Sequence, residues 1–317
     1  MSGAPELSAI ADELVASYTD RSDLLAIVGP TGTGKTALAC AVAERVHGEI
    51  VSVDSVQIYR GVQLGSGKPS PDEERRAPHH MVSSVDLLEP MDAGRFAGLA
   101  DLAIASIQGR GLTPILCGGT FLWMKALVDG LAVMPLANRE LRAEYTLIAE
   151  RDGRQALHDS LAAIDAVSAA KLAPNDFIRV SRALEGHALT GMPLSAYHAQ
   201  HGFRTKRYSV HYAGIEIPEP EYTGLLLARI ENWLERGWVH EVQDLRAAGF
   251  GASRALQSVG FAEIGAHLDG ALLEAHLAET IVRATRVFAR RQRTWLKKAN
   301  VRWFPSPSMP KRSPPGA

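Results

Sequence analysis

The sequence predicts an α/β fold: a doubly wound parallel sheet bearing a P-loop (a phosphate-binding loop), with a helical domain inserted into it. Three observations carry that expectation. An apolar run at 24–28 leads straight into a glycine-rich loop and a helical pattern. Further apolar runs at 49–54 and 113–117 are separated by helical stripes, and strands vanish between 138 and 206. Alternating strands and helices place parallel strands in one sheet with helices against its faces.

The elements follow in order. Leu24-Leu25-Ala26-Ile27-Val28 is apolar throughout, as a strand covered on both faces must be. It delivers the chain into Gly29-Pro30-Thr31-Gly32-Thr33-Gly34-Lys35-Thr36, which fits G-x-x-x-x-G-K-[S/T]. Glycines let backbone N–H groups approach a diphosphate, and the helix opening at Lys35 presents its positive end to an anion. Lys35 adds a mobile charge and the Thr36 hydroxyl can hold Mg²⁺. Gly29, Thr31, Gly32, Thr33, Gly34, Lys35 and Thr36 are therefore the diphosphate-binding candidates, with Thr36 also the metal ligand. The loop specifies a diphosphate and leaves open whether a nucleotide carries it.

The run at 49–54 ends in Asp54. A helical stripe follows at Phe96, Leu99, Leu102, Ala103 and Ile107, then Thr113-Pro114-Ile115-Leu116-Cys117 reads as a buried strand ending at Gly118-Gly119-Thr120. Ligands of such sheets sit at the carboxyl ends of strands, so Asp54, Thr120 and the loop converge on one crevice. Residues 208–217 alternate as a returning strand, 219–300 are helical, and Val301-Arg302-Trp303-Phe304 is a last strand. The expected organisation is an N-terminal extension (1–23), a P-loop core with C-terminal basic helices (24–137 and 207–304), a helical insertion (138–206), and a Pro- and Ser-rich tail predicted to be disordered (305–317).

With 317 residues and 46% hydrophobic composition, the chain can bury a sizeable core. No apolar stretch is long enough to span a membrane, and Glu6, Asp12, Glu13 and Asp20 argue against a signal or transit peptide, so a cytoplasmic protein is expected. Cys40 and Cys117 read as small core residues. The net charge of −1 hides an uneven distribution: Arg283, Arg286, Arg290, Arg291, Arg293, Lys297 and Lys298 follow one another with no acid between. Such a helix points to a polyanionic partner. A nucleotide hydrolase needs a second acid at a later strand end, where this chain has glycines. Asp54 can serve as a general base or only as a turn cap, and local sequence leaves both open. Thr120 can likewise be a helix cap.

Seven segments, GPTGTGKT, VSVDSVQIYRG, LGSGKP, PHH, ILCGGTFLWMKAL, PNDFIRVSRALE and TRVFARRQRTW, occur in the order and spacing that characterise the tRNA dimethylallyltransferases (tRNA isopentenyltransferases), which the chain resembles from Leu24 to Phe304. The resemblance implies transfer of a dimethylallyl group from dimethylallyl diphosphate to N6 of adenosine 37 of tRNA, with Mg²⁺ as cofactor, the anticodon stem-loop as partner, no membrane, and a monomer acting alone. It implies catalytic roles for Asp54, Lys35, Thr36 and Thr120. It also implies tRNA contacts by Asp54, Ser55, Val56, Gln57, Thr120, Arg142, Ile178, Arg179, Val180, Ser181 and Arg182. The chain departs from the family at Trp233, Phe261 and Ala262. Rival readings are an adenylate isopentenyltransferase acting on free nucleotide, a P-loop small-molecule kinase, and a non-catalytic RNA-binding protein. The basic helix and the Arg179/Arg182 stretch disfavour the first, and an intact Lys35, Thr36 and Asp54 disfavour the last.

Overall fold

Among the residues described by the computed structural model (6–18, 22–131, 134–135, 138–201 and 206–306), six strands form one parallel sheet. They are β1 (Leu24–Val28), β2 (Gly48–Val53), β3 (His79–His80), β4 (Thr113–Gly118), β5 (Val210–Glu216) and β6 (Val301–Pro305), in the spatial order β3-β2-β4-β1-β5-β6. Every pairing is parallel. Alternate strand residues, among them Leu25, Ile27, Ile50, Ile115 and Ile215, share a core with helices α1 (Leu7–Ser17) and α2 (Lys35–Val46). The intervening Ala26, Val51 and Leu116 are buried as well. Both faces of the sheet are thus covered, which is why these strands read as unbroken apolar runs rather than as alternating ones.

The contacts divide the chain into two units, one comprising Met1–Val128 with Tyr208–Ala317 and the other Asp129–Arg207. The first unit also holds α3 (Pro71–Arg76), α4 (Ala93–Gly109) and most of α5 (Phe121–Asp129), and α4 packs on β2 and β4. Phe96 of α4 stacks on Trp123 of α5 with ring centroids 4.5 Å apart. The second unit is helical throughout: α6 (Arg139–Arg151), α7 (Arg154–Ile164), α8 (Ala166–Ala169), α9 (Phe177–Thr190) and α10 (Leu194–His201). Leu157, Leu161, Ala169, Val180, Ala183 and Leu184 form its core. Helices α6 and α9 start where short polar side chains accept backbone N–H groups: Asn138 from Leu141 and Asp176 from Arg179.

The C-terminal region is less uniform than its hydrophobic pattern predicts. It comprises α11 (Glu219–Glu235), α12 (Trp238–Leu245), a wide turn at Arg246–Phe250, α13 (Phe261–Leu268), a single tight turn at Glu274–His276 and α14 (Leu277–Leu296). Gly249 breaks the pattern with φ of 87°, a backbone state that continues no helix. Helices α1 and α3 and the short strand β3 were not foreseen. Order extends past the expected start of the tail: Pro305 closes β6 and the Ser306 N–H donates to Glu216 O at 3.0 Å. Proline is tolerated there because β6 is an edge strand. The rest of the predicted disordered tail, 307–317, lies outside the described residues. No described helix is long and apolar enough to cross a membrane.

Candidate active site

Parallel pairing brings three strand ends level. Val28 of β1 and Val53 of β2 both register with Gly118 of β4, so the segments leaving these strands meet at one edge of the sheet. A cavity of about 540 Å³ opens there, lined by Lys35, Thr36, Asp54, Thr120, Arg229 and Gln292 among others. That volume suits a small ligand. Gly34 stands before α2 with φ of 83°, and the helix begins at Lys35 with its free N–H groups at the cavity. The Lys35 ammonium donates to Pro30 O at 2.6 Å, folding back on the loop it serves. Burial lowers its pKa to about 8, the signature of a cation short of a counter-charge. The Thr36 hydroxyl is half-buried on the cavity wall and bonds no described residue.

Two side chains from the C-terminal helices hold the loop. Gln292 of α14, only 5% exposed, accepts from Thr31 N–H at 3.1 Å and donates to Gly119 O at 2.8 Å. A side chain at Gly119 would collide with it: a Cβ there would lie 2.3 Å from Gln292 Nε2. Tyr222 of α11 donates its hydroxyl to Thr31 O at 2.8 Å. Neither residue was foreseen. The available signal for Gln292 was an uncharged polar residue on the buried stripe Ile281, Thr285, Ala289, Gln292, Leu296 of an otherwise basic helix.

Asp54 caps its turn and still presents an oxygen to the cavity. Its Oδ1 caps the following turn, accepting from Val56 N–H at 2.9 Å and Gln57 N–H at 3.2 Å. Its Oδ2 bonds no described residue, and Asp54 lines the cavity. The Thr120 hydroxyl accepts from Ser55 N–H at 3.1 Å and so ties the end of β4 to the end of β2. Gln57 accepts from Ser52 Oγ at 2.9 Å and donates to Gly67 O at 2.7 Å. It thereby anchors the turn that carries Gly65, Ser66 and Gly67 to β2. Arg229 of α11 enters the cavity without a carboxylate partner among the described residues. His80 pairs with buried Glu49 at 2.6 Å, a structural contact, while His79 reaches Ala77 O through Nδ1 and keeps an unpartnered, buried Nε2.

The remaining candidates belong to the helical unit. Ile178 and Arg179 are exposed on α9, whereas Val180 and Ser181 are buried in that unit. Arg179 pairs with Asp176 at the start of its own helix. Arg142 and Arg182 both approach the fully buried Glu185, at 3.5 and 2.9 Å. Arg182→Ala is therefore expected to lower the melting temperature of the chain, by the equivalent of about 1–3 kcal/mol, because a buried carboxylate loses its nearer partner. Arg179→Ala should leave melting unchanged. Equal melting of the two variants in a thermal scan would show that Arg142 and the Asn138 N–H suffice for Glu185.

The basic helix proves partly neutralised. Glu219 of α11 pairs with Arg286 and Arg293. Among the described residues no ion pair engages Arg283, Arg290 or Arg291, which are exposed. Trp295, 45% exposed, stands at the end of the same helix.

Comparison with known proteins gives a consistent result. The family model described as IPP transferase matches residues 57–299, and one described as Isopentenyl transferase matches 22–81. A tRNA dimethylallyltransferase of Sorangium cellulosum (strain So ce56) is 53% identical over 285 residues, covering 90% of this chain and 91% of the relative. One of Myxococcus xanthus (strain DK1622) is 42% identical, covering 87% and 89%. The crystal structure of the full-length tRNA isopentenylpyrophosphate transferase of Bacillus halodurans superposes with a TM-score of 0.67 at 33% identity, covering 91% of each chain. A eukaryotic dimethylallyltransferase captured acting on tRNA gives a TM-score of 0.77 at 26% identity, covering 90% of this chain and 74% of that one.

Proposed function

Because the chain belongs to the IPP transferase family, we propose that its crevice transfers a dimethylallyl group from dimethylallyl diphosphate to N6 of adenosine 37 of tRNA, next to the anticodon, releasing diphosphate. The chain is a prenyl-transferring enzyme. The observation that supports the reaction best is the pairing, within one cavity, of a phosphate loop with Asp54 and with no second acid at the end of β4, where Gly118-Gly119-Thr120 stand instead. Such a crevice can hold a diphosphate as leaving group and accept a proton at Asp54, but it has no second carboxylate, at the end of β4, to position a hydrolytic water.

In this reading the N6 lone pair attacks the prenyl carbon that bears the diphosphate. The C–O bond breaks, its electron pair leaves with the diphosphate, and the N6 proton passes to Asp54 Oδ2. The capped Oδ1 fixes the carboxylate while the other oxygen works as proton acceptor. The loop N–H groups, Lys35 and Arg229 face the charge that builds on the departing diphosphate, the kind of stabilisation that dominates such reactions. Thr120 holds Ser55, beside which the adenine edge is read, and Gln57 acts by keeping the Gly67 turn in place.

The residues fit a single Mg²⁺ shared with the diphosphate. The Thr36 hydroxyl is unengaged at the cavity wall, beside the Asp54 carboxylate that lines the same cavity. Bound there through Thr36, the ion would neutralise part of the leaving-group charge. Arg142, Arg179 and Arg182, with Ile178, Val180 and Ser181 shaping their helix, are assigned to the tRNA backbone. The enzyme is taken to act as a single chain in the cytoplasm.

Incubating the purified chain with dimethylallyl diphosphate, Mg²⁺ and total tRNA should yield a prenylated adenosine on nucleoside mass spectrometry. Absence of that nucleoside from an active, folded preparation would overturn the assignment. The exposed arginines of α14 extend the test. Replacing Arg290 and Arg291 with Ala should weaken anticodon stem-loop binding about tenfold at low salt and make its salt dependence shallower. Affinity for inorganic pyrophosphate should stay near that of the parent. An unchanged salt slope would assign these arginines to solubility.

A further inference from the structure

We propose that Trp233 is a positioning residue for the leaving group: its indole face holds the Arg229 guanidinium against the phosphate loop, so that the cation is already aimed when a diphosphate arrives. The proposal rests on the reading that this crevice binds the diphosphate of a prenyl donor.

Arg229 and Trp233 are one turn apart on α11, so their side chains lie on the same face of the helix. The Arg229 guanidinium carbon sits 4.3 Å from the Trp233 ring centroid, a cation–π contact. The guanidinium also touches two glycines. A Cβ at Gly67 would lie 2.6 Å from Arg229 Nη2, and one at Gly32 of the phosphate loop would lie 3.5 Å from Nη1. The cation therefore occupies a slot between the phosphate loop, the Gly67 turn and the Trp233 ring, and a side chain at Gly67 would intrude on it.

What the slot lacks is an anion. No described carboxylate pairs with Arg229, and burial lowers its affinity for a proton. A desolvated guanidinium is costly unless an anion approaches, and the cavity it enters is the one lined by Lys35 and Thr36. An unpaired guanidinium on a long side chain would otherwise swing toward water. The Trp233 face supplies the countering attraction without neutralising the charge, so the cation stays available to a phosphate.

Trp233 is itself fixed. It meets Trp238 edge to face at 5.4 Å, and Trp238 meets Phe261 in the same manner at 5.3 Å. Trp238 is almost completely buried against Gly65 and Gly260, where a Cβ would fall 1.9 and 2.2 Å from its ring. The aromatic ladder thus connects the Arg229 slot to the rigid interior of the unit.

The test measures affinity of the full chain for inorganic pyrophosphate with Mg²⁺, together with KM for dimethylallyl diphosphate and for tRNA. Trp233→Leu and Trp233→Met should each weaken pyrophosphate binding about tenfold and raise KM for the donor, with KM for tRNA unchanged. Trp233→Phe, which keeps a ring, should recover most of the loss. Arg229→Ala should weaken binding about 30-fold or more, and adding Trp233→Met to it should cost nothing further. Parent-like affinity in folded Trp233→Met alongside a weakened Arg229→Ala would overturn the positioning role alone. A full additional loss in the double variant would also overturn it. Parent-like affinity in Arg229→Ala would instead remove Arg229 from the diphosphate site, and the proposal with it.

Discussion

Asp54→Asn should lower kcat by about 10²–10⁴-fold while changing the KM for dimethylallyl diphosphate and the affinity for tRNA little. The size follows from what the substitution keeps and what it removes. An amide oxygen in place of Oδ1 can still accept from Val56 and Gln57 N–H, so the turn after β2 should survive. The other position becomes an NH₂ group, which cannot take the proton that N6 must lose. An exocyclic amine conjugated to a purine is a weak nucleophile, and without an acceptor its attack builds an unrelieved positive charge on nitrogen. Stopped-assay kinetics on an anticodon stem-loop substrate checks this. A variant within a few-fold of the parent in kcat would assign Asp54 to capping alone.

Lys35→Ala should reduce kcat/KM for dimethylallyl diphosphate by about 10²–10³-fold and weaken pyrophosphate binding in parallel, with tRNA affinity nearly unchanged. The Lys35 ammonium is held only by Pro30 O, a bond easily exchanged for a phosphate oxygen. Burial lowers its pKa to about 8, against an opposing pull that includes Asp54, so an arriving anion would favour the charged form further. Pre-placed in a partly dry site, that charge acts most strongly where negative charge grows during C–O cleavage. Loss of tRNA affinity with normal use of the donor would instead mean that the loop serves the acceptor.

The parts of this site that were legible in the sequence are those set by contiguous residues. The strand at 24–28, the glycine loop and α2 follow one another, and each step constrains the next, so spacing alone suffices to place the loop at a strand end. Asp54 and Thr120 were legible because both follow buried strands, and a parallel sheet aligns strand ends. Gln292, Tyr222 and Arg229 were not, because they reach the loop from helices nearly 200 residues or more downstream, where only the packing of α11 and α14 decides which face turns inward. The charge balance of α14 misled for the same reason. No acid stands among its residues from Arg283 onward, yet Glu219 neutralises two of its arginines from α11. Glycine positions in the C-terminal region were equally silent: Gly249 looks like any other helix glycine until its positive φ is seen.

The measurement that tests the account most directly compares two acceptors under one donor. With dimethylallyl diphosphate and Mg²⁺ fixed, kcat/KM is measured for an anticodon stem-loop RNA and for adenosine monophosphate. The exposed Arg179 of α9 and the exposed arginines of α14 would be idle in prenylating a free nucleotide, so the RNA should be favoured by at least about 10³-fold. Comparable efficiency on adenosine monophosphate would contradict the tRNA assignment and make the chain a nucleotide prenyltransferase.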